Sequence, residues 1–230
     1  GFEDPRGVWG GVEPAGPAPG ADLGSCTMAF QQAFMVANGS SGAQATPYLD
    51  WYEAADLDVW WWNVGSPSDI WDTSDWTAIA GSGADEVWAV GTGGLLSRHD
   101  WGQPDGDDPQ IVGLPIAGAD ELQFRAVVLS GGFLIAAGER DEEQMQNGQL
   151  FVTRTLFVVT YDLAKSTATD SAWDYHVLYE ASAGCGADCT ATAAALGEIA
   201  GAAAAGGQVY VVGSAAVGPS TKGALFFLQM

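Results

Sequence analysis

The 230 residues carry 29 Asp and Glu against 7 Lys and Arg, a formal charge of −22 at pH 7. A field of that sign repels phosphate backbones and anionic headgroups, so it argues against nucleic acid and against an anionic membrane surface as partners. No run of apolar residues has the length and character of a membrane-spanning helix, the nearest being the Ala/Gly-rich stretch 191–212, which Glu198 and Gln208 interrupt. The acidity fits a protein exported from the cytoplasm, a salt-adapted protein or a binder of divalent cations. Apolar residues make up 47% and include ten Trp, enough for one sizeable core, while 32 Gly and 10 Pro suit many short strands joined by tight turns.

In chain order, residues 1–25 are rich in Gly, Pro and Ala and predict an extended N-terminal arm or linker, leaving 26–230 as a single domain. The sequence opens on Gly1 without a Met or an apolar leader, as a processed chain or a fragment would. Leu23-Gly24-Ser25-Cys26 has the outline of a lipoprotein cleavage box. Residues 14–22 before it form a Pro/Gly/Ala linker instead of an apolar leader, so Cys26 is expected to be a buried thiol. Residues 28–30, 33–37 and 47–52 read as strands, with Asn38-Gly39 as a hairpin turn that also opens a glycosylation sequon.

Trp60, Trp61 and Trp62 follow one another in DVWWWNVG. Alternation along a strand puts Trp60 and Trp62 on one face and Trp61 on the other. They either pack between two sheets or, with Trp71 and Trp101, form an exposed aromatic platform for a sugar or a protein partner.

Three related units come next. In the first, strands at 77–80, 87–90 and 95–98 are joined by turns, Thr92-Gly93-Gly94 being the clearest. The middle strand Val87-Trp88-Ala89-Val90 is apolar at every position, which predicts burial on both faces. Residues 111–116 predict a fourth, outer strand, with Pro115 suited to an edge. The second unit repeats the pattern at 126–128, 134–138 and 156–162, with an insertion at 139–149 lengthening its hairpin and 173–180 as outer strand. The third repeats it at 201–205, 209–213 and 225–228, and Gly91, Gly138 and Gly213 mark the same point in each. The Ala-rich run 191–205 is open to a helical reading as well.

The string DEVWAVGTGGLLSRHD resembles the propeller repeat of bacterial secreted and cell-surface proteins, whose units read roughly D-x-V-W-A-V-G-x-x-G-x-I-x-x-x-D, and more widely WD40-like, kelch-like and photosystem-assembly-factor propellers. The match is close over residues 78–100 and loose over 124–162 and 201–228. The resemblance implies a β-propeller-like array of four-stranded antiparallel blades, short or partial in this chain. It also implies closure of the last blade by a strand from within residues 8–40.

Catalytic signatures are missing. There is no G-x-S-x-G, and His99 and His176 are the only histidines, read as a strand-end polar residue and a solvated one. Asp105, Asp107 and Asp108 surround Gly106 and make calcium the one metal considered, against a plain acidic loop; Asp141-Glu142-Glu143 is a second acidic run. No other cofactor is expected. Cys185 and Cys189 in GCGADC form a disulfide in an oxidising compartment or remain a pair of surface thiols. The reading that follows is a non-enzymatic exported propeller, extracellular, on the cell surface or periplasmic, serving as a protein-interaction or scaffold subunit of a larger bacterial assembly. A carbohydrate-binding propeller is the alternative, and a propeller glycosidase, which needs paired carboxylates, ranks third.

Overall fold

The structure, a computed structural model, describes residues 4–13, 30–41, 44–53, 59–63, 76–81, 86–100, 110–165, 170–186, 188–205 and 207–229. They form four antiparallel sheets, each built from one contiguous stretch of chain. The first sheet contains β1 (Asp4–Glu13), β2 (Phe30–Ser41), β3 (Gln44–Glu53) and β4 (Val59–Asn63). The second contains β5 (Trp76–Gly81), β6 (Glu86–Gly91), β7 (Leu96–Asp100) and β8 (Gln110–Ile111). The third contains β9 (Gln123–Ser130), β10 (Phe133–Gln146), β11 (Gln149–Asp162) and β12 (Trp173–Gly184). After the helix α1 (Cys189–Leu196), the fourth sheet has three strands, β13 (Gly197–Ala205), β14 (Gln208–Val217) and β15 (Ser220–Gln229). Strand order within every sheet follows chain order.

Successive sheets meet through their first strands: β1 lies against β5, β5 against β9, and β9 against β13. Among the described residues, two cores lie between them. Trp88, Val90 and Leu96 of the second sheet face Phe124, Leu134, Phe157 and Tyr161 of the third. Ile135, Ala137, Leu156 and Val158, on the opposite face of the third sheet, meet Ile199, Val209 and Val211 of the fourth. Strands β10 and β11 are therefore apolar on both faces because each face meets another sheet. Val87 and Ala89, alternating with Trp88 and Val90, are also buried, as the unbroken apolar run predicts.

Every first strand carries a bulge at the same place. The register slips between Pro5 and Gly7, between Trp76 and Ala78, between Phe124 and Ala126, and between Ile199 and Gly201. Gly91, Gly138 and Gly213 pair with the residue just before the slip in their sheets. A bulge crowds two residues of one strand against one of its partner. A Cβ on Gly138 would sit 2.3 Å from the carbonyl oxygen of Gln123, and one on Gly213 would sit 2.1 Å from that of Glu198. The glycine that follows the apolar run in β10 and in β14 is thus required by close approach of the facing backbone.

Several local expectations are corrected. Within residues 1–25, Asp4–Glu13 is not an extended arm, because it pairs along its length with β2. That pairing also removes it as a closing strand. The order of the fourth sheet is β13-β14-β15, and among the described residues β15 pairs with β14 alone. Asn38 and Gly39 are not a turn: both lie inside β2, facing Pro47 and Thr46, and the reversal falls after Ser41. The outer strand expected at 111–116 shrinks to Gln110–Ile111, since Gly113 and Pro115 cannot sustain a ladder. The Ala-rich run divides, with a helix to Leu196 and a strand from Gly197. Asp188 starts that helix by accepting the Ala191 amide at 2.9 Å.

Candidate functional site

The densest polar cluster among the described residues lies where β9, β10, β11 and β13 converge. Its centre is Glu139, 2% exposed. The Ile199 amide donates to its Oε1 at 2.7 Å, the Arg125 Nε donates to its Oε2 at 3.2 Å, and Arg154 Nη1 stands 3.9 Å away. Arg154 forks onto Asp141 through Nε and Nη2 at 2.7 and 2.6 Å, and its Nη1 donates to the Gly197 carbonyl at 2.9 Å. Burial works against the Arg154 charge. The hydrogen bond to Asp141 and the fields of Asp141, Glu139 and Glu198 outweigh it, so the guanidinium is held above its ordinary value.

The fold makes this arrangement directly. The bulge in β9 falls at Arg125, the bulge in β13 falls just after Ile199, and the Ile199 amide of the edge strand β13 points to a carboxylate of the third sheet. The junction between the second and third sheets has a simpler bridge at the same level. There the bulged Thr77 hydroxyl donates to the Phe124 carbonyl at 2.8 Å, with the Val90 carbonyl at 3.1 Å. Chemically, Glu139 and Arg154 spend their hydrogen-bonding capacity on backbone and on each other's neighbours. The cluster fastens two sheets together and presents no nucleophile beside a base.

Between the second and third sheets the core is aromatic. Tyr161 stacks on Trp173 at 4.4 Å and lies 5.6 Å from Trp88, and Phe157 stacks on Tyr175 at 5.2 Å. The Tyr161 hydroxyl donates to the Lys165 carbonyl. Burial pushes the Tyr161 phenol above its ordinary value, against the pull of Arg98, and burial does the same to Tyr175 against Arg140. A phenol raised in the folded state stabilises it fully below the unfolded pKa of about 10 and loses that contribution as pH climbs through the higher folded value. The thermal midpoint is therefore expected to hold up to about pH 10 and to fall above it. Tyr161→Phe keeps the stacked ring and should make that alkaline fall shallower. An unchanged alkaline limb in a pH series of melting curves would remove Tyr161 as its source.

The residues singled out from sequence fall differently. Asp105, Asp107, Asp108, Trp71 and Trp101 lie outside the described residues. Trp60, Trp61 and Trp62 belong to β4, which pairs with β3, and only their backbone is described. Among the described residues no group of three or more His, Cys, Asp or Glu side chains is gathered as a metal site. In the acidic run at 141–143, Asp141 is taken by Arg154, and Glu142 pairs with Arg140 at 3.0 Å. His176 is exposed on β12, and His99 lies in β7 opposite Val87. Cys185 and Cys189 are joined, with Cys185 buried against Val152, Ala193 and Leu196. Among the described residues, no helix is long and apolar enough to cross a membrane.

Sequence reading passed over Glu139, Arg154 and Arg125. One signal was present: a chain with only seven cations places Arg154 inside the apolar strand LFVTRTLFVV. A charge there requires a buried partner.

No protein-family model matches the chain, and no curated protein matches it either.

Proposed function

We propose that the chain is a non-enzymatic, exported β-propeller-like module that serves as an interaction or scaffold subunit of a larger bacterial assembly. The observation that carries this reading is where the buried polar side chains go. Buried Glu139 and Arg154 and half-buried Thr77 each bind one sheet to the next through backbone groups, which favours rigidity at the junctions. A stack of sheets whose buried charges are tied to neighbouring sheets suits a docking platform better than a reaction centre. The propeller-like part of the reading is supported by four chain-ordered sheets whose first strands stand side by side. Export is supported by the joined Cys185 and Cys189, since disulfides persist in oxidising compartments. A plain acidic stretch at Asp105, Asp107 and Asp108 is the leading reading there, with calcium binding as the lesser alternative.

Chemical cross-linking in the source cells followed by purification tests the role. The expected result is a reproducible set of protein neighbours retained through stringent washing. A chain that recovers no neighbour and instead binds defined sugars on a glycan array would overturn the scaffold reading in favour of sugar binding.

A further inference from the structure

The positions that join one sheet to the next recur in register. Trp88, Val90 and Leu96 of the second sheet correspond, through the pairing with Gly91, to Ile135, Ala137 and Val158 of the third and to Tyr210, Val212 and Leu225 of the fourth. In the second sheet these side chains are covered by the third sheet, and in the third they are covered by the fourth. In the fourth, Val212 is 44% and Leu225 58% exposed, and Phe227, which faces Tyr210 across the ladder, is 71% exposed. The opposite face of the same strands, with Val209, Val211, Phe226 and Leu228, is the one packed on the third sheet. The outward face therefore has the side chains of a sheet-on-sheet contact, and among the described residues no further sheet covers it.

Its charge sets it apart from the rest of the chain. With 29 acidic residues in 230, a stretch of this length would ordinarily hold about four, yet none occurs from Ile199 to Met230, where Lys222 is the only charged side chain. Depletion of charge is what distinguishes the centre of a protein interface from open surface. The edge strand β15 also lacks the usual protection. It is ten residues long, pairs with β14 without a register shift, and contains no proline. The outer strand of the third sheet, by contrast, is bulged opposite Leu156 and bears Asp174 and Glu180, while that of the second sheet is two residues long.

We infer that Tyr210, Val212, Leu225 and Phe227 form a docking face for a second copy of this chain, which meets it through the same face. Charge selects this occupant. Two chains of −22 repel each other over most of their surface, and this face brings only one carboxylate per chain to the contact, Glu198 at the start of β13, which shares the face with its pair partner Ser214. A contact through one self-complementary patch gives a closed two-fold dimer, the commonest soluble oligomer. Three strands at about 4.8 Å spacing and about ten residues long present a footprint near 500 Å², toward the small end of specific interfaces, so the dimer is expected to be concentration-dependent. The inference stands on the packing of the sheets and is independent of the scaffold role.

Sedimentation velocity over a hundredfold range of concentration, at low and high sodium chloride, tests it with the intact chain. The wild type is expected to move from monomer to dimer, and further toward dimer in high salt, because salt screens the carboxylate repulsion while the apolar contact is retained. Leu225→Lys with Phe227→Lys should stay monomeric throughout. Leu225→Thr with Phe227→Thr, which preserves strand propensity, should weaken association at least tenfold with an unchanged melting temperature for the dilute monomer. Val217→Lys, exposed beside the β14–β15 turn on the other face, should dimerise like the wild type. A wild type that is monomeric under all these conditions, association weakened by salt, or a dimer equally stable in the Thr variant would each overturn the proposal.

Discussion

Glu139→Ala is expected to lower the free energy of unfolding by about 3 kcal/mol, because it strands the buried Ile199 amide and removes the Arg125 partner together. Arg154 keeps its fork onto Asp141, which limits the loss below that of a fully orphaned buried cation. For a chain of this size the thermal midpoint should drop by roughly 6–12 °C. Glu139→Gln retains an acceptor for the Ile199 amide and should recover about half of the deficit, since hydrogen bonds to charged groups are worth roughly twice those between neutral ones. Urea titration gives the free energies, and amide exchange at Ile199 reports the bond directly. If Glu139→Ala unfolds within about 0.5 kcal/mol of the wild type, burying the charge has cost as much as the cluster returns, and the clamp carries no net stability.

Gly138→Ala is expected to destabilise by about 3 kcal/mol, at the upper end of the range for overpacking. The new methyl group would meet the Gln123 carbonyl oxygen and the Phe124 Cα, which are backbone atoms of a paired strand and cannot rotate away. Gly213→Ala meets the Glu198 carbonyl oxygen in the same way, in a sheet with one core face instead of two. Its cost should be somewhat smaller, because the outward side of the fourth sheet is free to shift. Gly113→Ala, which has open space around the added carbon, serves as the reference near zero. Denaturation midpoints of the three variants decide the matter. If Gly138→Ala matches Gly113→Ala, the bulge relaxes freely and the recurring glycine has another cause.

Much of the fold was legible because its signals are local. Gly93 and Gly94 adopt positive φ at the turn that sequence marked most clearly, and Gly131, Gly132 and Gly207 do so at the corresponding turns of the later sheets. The all-apolar run at 87–90 correctly announced burial on both faces, since periodicity alone encodes how many sides of a strand are covered. The recurring glycines were visible as landmarks, but their reason was not, because a bulge in the facing strand leaves no mark within the strand that accommodates it. Asn38-Gly39 misled for a related reason: a favourable turn dipeptide was overridden by pairing with β1 and β3 on either side. The N-terminal strand was hidden by its composition, as Gly and Pro mask a segment whose ladder is supplied by β2.

The candidate site was less legible than the fold. Glu139 lies 60 residues from the amide it holds and 14 from Arg125, and no spacing rule links such positions. Only the oddity of Arg154 within an apolar strand pointed inward. Asp141 was read only as part of a second acidic run, because sequence does not fix the hairpin register that sets Arg154 directly opposite it.

Because each sheet is one uninterrupted stretch of chain and its principal contacts are with the sheets before and after it, the molecule behaves energetically as a short row of coupled units. Cooperativity then resides in the junctions. Weakening the one at Glu139 should let the fourth sheet open by itself while the aromatic junction around Tyr161 stays shut, so that a single cooperative transition separates into two.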